Sequence, residues 1–455
     1  MADSKPPTTS EPLPASGGGP KLPPKVPVRN PALRMLGIPV LPRKLPSRNW
    51  MIFWTVSTAI SAAIIYDKRE TKRATARWAH AVEHLGKEPI TNPCAMPRKL
   101  TIFLSSPPGD GLRIAQDHFT EYVKPVLAAS GLDWEFVQGR REGDVRAVVA
   151  ERLRKVRRGW EHDLNGASEE GARPADDVVE VIRRKNDTPQ YEGVRGDIVI
   201  GRHTWKEYVR GTHEGWLGPL TPPPEPETPP ATPASDAANS SPTEENKPEV
   251  EEEEAPKPKI PPQPKPYNTP DDYPASALPL LIPAELTPSA LIRQPHILGF
   301  LNTPTRMRRY FNRRALADDV GREVAAACLA AYRDFRELPD AAADGAQWEQ
   351  QQALDWEERD WIKSVWKEEE GEQADAKEPA PEKIWTRPVV MDSRIGMRMR
   401  RFELRPEEEV RVRAIVVPEE EVEGWIKGNL RELYRWGAKK LARDQRKILV
   451  DEDAD

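Results

Sequence analysis

The chain has 455 residues, enough for two or three domains, with 49 prolines, 31% charged residues and a mean hydropathy of -0.70, so a good part of it is expected to be extended rather than packed. A net charge of -5 leaves nucleic acid undecided, but no basic patch alternates with aromatics as strand-binding surfaces do, and no nucleic-acid partner is expected. Two distant cysteines, Cys94 and Cys328, exclude a disulfide framework and a cysteine zinc site; two buried thiols are expected, a Cys94–Cys328 bridge only in an oxidising compartment.

Residues 1–48 read as a disordered, basic, proline-rich segment. The apolar run that follows starts too late and is too long for a signal peptide. The prolines also forbid the continuous amphipathic helix of a transit peptide. From Lys21 to Arg48 there are seven Lys/Arg and no Asp/Glu, which puts the N-terminus on the cytoplasm-like side of a membrane. Lys68, Arg69, Lys72 and Arg73 make the far flank basic too.

The run from Trp50 to Tyr66 holds no charge, proline or glycine. Its length of ~26 Å is close to the lower limit for a bilayer core, so a transmembrane helix is expected over 49–67. Trp50, Phe53 and Trp54 stand at one end and Tyr66 at the other, as interfacial aromatics do. Thr55, Ser57, Thr58 and Ser61 would let another helix approach closely in lipid. The alternative is a buried helix of a soluble domain. No glycine or proline interrupts the chain until Gly86, so the helix should continue into a stalk over 68–95, raised ~20–25 Å above the membrane. Lys68, Arg69, Lys72 and Arg73 could touch anionic headgroups, or form charge pairs on a solvated helix. The stalk also carries His80-Ala81-Val82-Glu83-His84, the H-x-x-E-H string of inverted zinc proteases. A third ligand is not evident, and surface histidines are the default reading.

An α/β domain is expected over 96–216. Strands are read at Arg98–Ser105, Asp133–Val137 and Gly196–Gly201, with helices at Leu112–Ala129, capped by Gly131, and Gly143–Val156. A further helix is read around Val178, Val179 and Val181. Strand and helix alternate, which implies a parallel sheet with right-handed crossovers. The first strand, its Pro/Gly loop and KPVLAASGLDWEF resemble the N-terminal domain of the diacylglycerol and sphingosine kinases. That resemblance places a degenerate phosphate loop at Gly201, Arg202, His203, Thr204, Glu207 and Gly211. Arg202 and His203 stand where the kinases have glycines, so the backbone could no longer approach a phosphate closely and no cofactor is expected.

Residues 217–274 read as a disordered insertion, rich in proline and glutamate, with an acidic run at 249–254 and a sequon at Asn239 usable only in a secretory lumen. An α+β C-terminal part is expected over 275–450. It holds short proline-cut strands, a basic RMRRYFNRR at 306–314 that could meet phosphate, headgroups or an acidic partner, and a helix at Leu316–Leu338. An amphipathic helix is plausible among the tryptophans of 340–382, and Trp385–Leu404 with Val410–Val417 read as a hairpin. The last helix, Glu419 to about Leu449, bears Val422, Trp425, Ile426, Leu430, Leu433, Tyr434 and Trp436 as a core-facing stripe.

Taken together, NPALRMLGIPVLPRKLPSRNWMIFW, YDKRETKR, PCAMPRKLTIFLSSPPGDGL and QPHILGFLNTPTRMRRYFNRR resemble the fungal family of the mitochondrial inner-membrane translocase subunit of fifty-four kilodaltons. The resemblance implies a non-enzymatic subunit of the carrier translocase, with its N-terminus in the matrix and its folded part in the intermembrane space. Its partners would be the channel-forming and other membrane subunits, the small intermembrane-space chaperone hexamers and the lipid bilayer. It implies no catalytic residue. The rival expectations are a membrane-anchored lipid kinase with an altered nucleotide loop and a zinc hydrolase using His80, Glu83 and His84.

Overall fold

A computed structural model describes residues 47–89, 94–164, 181–223, 263–334, 348–365 and 382–439, apart from positions 184, 189, 190, 192, 425, 426, 430, 432 and 438. The expected basic N-terminal segment before 47, the helix around Val178 and Val179, the acidic run and Asn239 lie outside the described residues. The chain divides into two units, Met1–Ile60 and Ser61–Asp455.

The first helix, α1, runs from Arg48 to Gly86 without a break, as the lack of glycine and proline predicts. Then come β1 (Lys99–Ser105), α2 (Leu112–His118), a π-helical turn (Phe119–Val123), α3 (Lys124–Ser130), β2 (Asp133–Gly139), α4 (Asp144–Leu164), β3 (Gly196–Ile200) and α5 (Arg202–Leu217). After the insertion follow β4 (Ser289–Ile292), α6 (Thr303–Tyr310), α7 (Arg313–Cys328), α8 (Glu349–Glu358), α9 (Ser393–Gly396), α10 (Pro406–Ala414) and α11 (Glu419–Glu423). Gly131 ends α3 in the left-handed region at φ 69°, the expected cap.

The four strands form one parallel sheet in the order β2-β1-β3-β4. The expected parallel α/β sheet is therefore present, with a fourth strand that comes from the far side of the insertion. Described residues of 96–216 and of 275–450, expected as separate parts, contribute together to this sheet and to both of its cores. Side chains alternate across β1, as the two-residue period requires. Leu100, Ile102 and Leu104 face a core made with α1, α2, α3 and α7, while Phe103 faces a second core made with α4, α5 and α8.

The inner half of α1 is not a free stalk. Ala74, Trp78, Ala81 and Val82 are buried in the first core. They recur at three- and four-residue spacing and give this half one apolar face, which the charged residues between them obscure in the sequence. Trp78 lies over Gly321 of α7, and its Nε1 donates to Asp318 at 2.8 Å. Helix α7 is capped from outside at both ends. The Asp67 carboxylate accepts the backbone N–H groups of Arg313 (3.1 Å) and Arg314 (3.3 Å). At the other end, Arg98 donates to the carbonyls of Ala327 and Cys328, both at 2.6 Å. Helix α7 stops at Cys328, not at the expected Leu338, and Ala330 turns left-handed just beyond it.

Two further expectations are corrected. Residues 385–417 form no hairpin. Asp392 caps α9 by accepting from Arg394 N at 2.8 Å, and Pro406 with Glu407, Glu408 and Glu409 starts α10. The stripe of the last helix is not in the core where it is described: Val422 is buried, but Leu433, Tyr434 and Trp436 are exposed. Cys328 is a buried thiol, raised to about 11 by burial, whereas Cys94 is exposed, so the expectation of two buried thiols holds for Cys328 alone.

Candidate functional site

In parallel sheets, polar function usually gathers where the strands end and helices begin. Here that place is the β3–α5 junction. Gly201 sits at φ 89°, which a side chain would strain, and a Cβ there would come within 2.8 Å of Gln294 Oε1 beyond β4. Helix α5 starts at once, and all sixteen of its residues are buried, nine of them polar or charged. Arg202, His203, Thr204, Glu207 and Gly211, read from the sequence as a degenerate phosphate loop, are buried residues of this helix.

The helix start is covered. Thr204 Oγ1 accepts Ser105 N at 3.1 Å, which ties α5 to the end of β1. The His203 ring lies among Trp361, Trp385 and His296, with centroids 4.8, 5.4 and 5.9 Å away. Burial holds its basicity well below the usual range. Lys206 Nζ sits 3.5 Å from the centre of the Trp361 ring and donates to Arg387 O at 2.8 Å; burial lowers it to about 8. The Glu207 carboxylate accepts Val145 N at 2.9 Å and Trp385 Nε1 at 2.8 Å. Burial pushes it up to about 7, against the opposing effect of these hydrogen bonds. Further along, Arg210 Nε meets Glu382 at 2.7 Å, and His213 Nε2 accepts Asp392 N at 3.1 Å. Chemically, α5 is a buried polar spine. Its side chains bind residues 382–392, which lie some 180 positions away in the sequence, onto the sheet.

Glu207 gives a pH signature. The unfolded carboxyl titrates near 4.5 and the folded one near 7, so the unfolded chain loses its proton first as pH rises. The contribution of Glu207 is full below the lower value and is lost as pH passes the upper one. His213, held near 4 by burial, has the opposite sign: its contribution is lost as pH falls through 6.5 toward 4. Comparing Glu207→Gln with the parent chain separates the two. From about pH 5 to about pH 8 the variant should gain roughly 2–3 kcal/mol relative to the parent, read from chemical-denaturation midpoints in detergent. A pH-independent difference would mean that Glu207 is not neutral in the folded state.

A second gathering of charge stands where the apolar half of α1 ends. From Trp50 to Tyr66 the large side chains Trp50, Phe53, Trp54 and Tyr66 are exposed, and none of the apolar window is buried. By length and composition this is one helix able to cross a membrane. Thr55 and Thr58 turn their hydroxyls back onto carbonyls of their own helix, while Ser57 is half-buried and Ser61 exposed. Arg69 is held by Glu419 and by Glu423 at 2.8 Å, and Arg73 by Glu419 at 2.8 Å and Glu70 at 2.6 Å. Lys68 and Lys72 are exposed. Of the four cations read as headgroup contacts, two therefore serve to dock α11. Nearby, His80 bonds Glu83 (2.9 Å) and Glu421 (2.8 Å), and His84 bonds Ala81 O. Among the described residues no group of three or more His, Cys, Asp or Glu is placed to hold a metal ion.

The family model for the inner membrane protein import complex subunit Tim54 matches residues 30–402. The chain belongs to the Tim54 family. Tim54 is a subunit of the mitochondrial inner-membrane translocase, and the name implies protein transport. The mitochondrial import inner membrane translocase subunit tim54 of Neurospora crassa is 61% identical over 435 residues, covering 94% of this chain and 92% of that one. Its namesake in Aspergillus oryzae is 44% identical over 82% of this chain and 87% of its own. The one in Schizosaccharomyces pombe is 30% identical over 77% and 91%. The Tim54 match takes in the apolar run, the whole sheet and the α5 spine. The expected phosphate loop falls on the first turns of α5, and the sequence offers no reason to place Trp361 and Trp385 against it beyond an excess of tryptophan after residue 340.

Proposed function

We propose that this chain is a non-enzymatic tether of the translocase: a single-pass membrane protein whose folded part holds the channel-forming subunit and the small intermembrane-space chaperone hexamers, so that multi-spanning substrates pass between them. The observation that carries this reading is the double character of α1. One helix presents an exposed apolar run and, further along, an apolar face buried in the domain core. A span that is also a core element keeps anything bound to the domain attached to the membrane. The excess of Lys/Arg before the span supports an N-terminus in the matrix and a domain in the intermembrane space.

Depleting the chain from mitochondria should lower insertion of multi-spanning carriers several-fold while leaving uptake of cleavable matrix precursors unchanged. Equal insertion with and without the chain would end the proposal. Protease added to mitochondria with a ruptured outer membrane should reach the folded part, as the proposed orientation requires.

A further inference from the structure

The segment from Phe300 to Arg314 has no role in the fold that accounts for its surface. Phe300 and Leu301 are 88% and 91% exposed, and Met307 and Tyr310 are also exposed. Large apolar side chains this bare are costly in water unless something covers them. The same stretch carries Arg306, Arg308, Arg309, Arg313 and Arg314, and no Asp or Glu lies between Gln294 and Ala317. Arg309 reaches Asp360 at 3.2 Å and Arg313 reaches Glu121 at 3.9 Å. Among the described residues, no carboxylate pairs with the exposed Arg306 or Arg308.

Position says what covers it. Asp67, the first charged residue after the apolar run, binds the backbone N–H groups of Arg313 and Arg314. The Arg314 guanidinium lies 5.1 Å from the centre of the ring of Tyr66, the last residue of that run. Adjacent helical residues differ by ~1.5 Å along the axis, so the end of this patch is level with the end of the span. A segment with an exposed apolar tip and two arginines without a carboxylate partner, its far end at Arg313–Arg314 fixed beside the end of the apolar run, matches an interface with apolar chains below and phosphate groups above.

We propose that Phe300–Arg314 is a second membrane contact of this chain: Phe300 and Leu301 enter the surface of the bilayer that α1 crosses, and Arg306 and Arg308 meet the phosphates of anionic phospholipids. This rests on α1 being a span, and the test reads the two separately.

The full chain with Cys94→Ser and Leu301→Cys is labelled at residue 301 with an environment-sensitive fluorophore; Cys328 is buried and stays unlabelled. It is reconstituted into lipid nanodiscs of phosphatidylcholine alone or of phosphatidylcholine with phosphatidylglycerol. Co-elution with the discs reports the span. Quenching by headgroup-level spin-labelled lipid, and shielding from aqueous iodide, report the patch. Incorporated chains should show both in the anionic discs. At about 1 kcal/mol per arginine near an anionic surface, Arg306→Gln with Arg308→Gln should lower the ratio of bound to free patch ~30-fold. Equal iodide access in both kinds of disc would overturn the proposal. So would arginine variants that remain shielded, and so would shielding seen in whole inner membranes but never in discs, which would give the patch to a protein partner.

Discussion

Glu214→Gln is expected to cost about 3–5 kcal/mol of folding stability, the range for removing one partner from a buried ion pair. Glu214 is 1% exposed and receives Arg146 and Arg154, with Arg210 at 4.0 Å and the Tyr267 backbone N–H at 3.0 Å. The side chains of Arg146, Arg154 and Arg210 are 0%, 3% and 6% exposed, so none can turn to water when the carboxylate is lost. Arg154 keeps Glu151 at 3.3 Å and Arg210 keeps Glu382 at 2.7 Å, so the charge left without a carboxylate is that of Arg146, which retains Pro264 O. The control is the exposed Arg113–Asp117 pair, 3.9 Å apart, where Asp117→Asn should change stability by less than about 1 kcal/mol. If urea midpoints show the two substitutions to be equally mild, the three arginines are solvated and α5 is not a sealed spine.

The second large effect is expected at the crossing of α1 and α7. Trp78→Ala should cost about 3–5 kcal/mol through the cavity it opens. Gly321 is its counterpart: a Cβ there would stand 2.3 Å from Trp78 Cδ1 and 2.6 Å from Cγ, too close for either to accommodate. Gly321→Ala alone should therefore destabilise, although alanine is the better helix former by roughly 1 kcal/mol. In the Trp78→Ala background both ring contacts are gone and only the 3.0 Å approach to the residue 78 Cβ remains, so the same change should cost clearly less. A double-mutant cycle on urea midpoints reads this coupling. Simple additivity would mean that the two helices do not meet there.

How much of this could be read from the chain depends on how far apart the partners lie. The apolar run of α1, the strands β1, β2 and β3 and the Gly131 cap are set by neighbouring residues, and the sequence carries them plainly. The β3–β4 pairing joins positions separated by residues 201–288, so no local pattern announces it. Residues 201–211 are expected as a degenerate phosphate loop, and α5 is a buried helix instead; the partners of its polar side chains lie near 146, 268, 358 and 385, where spacing arguments do not reach. In α1, Lys68 to Arg77 looked like a solvated stalk. The buried Ala74 and Trp78 were in view, but Gly321, which makes room for the tryptophan, was too remote to connect with them. At 385–417 the reason is local: the Asp392 cap and the Pro406 helix start override the alternation that suggests a hairpin.

The dependence of α1 on α7 also fixes an order of events. Trp78 belongs to the first part of the chain to be synthesised, but Gly321, Asp318 and the strand that completes the sheet come more than two hundred residues later. Loop-closure entropy delays such distant pairings. The apolar run is therefore made well before the domain it is joined to has the parts to close.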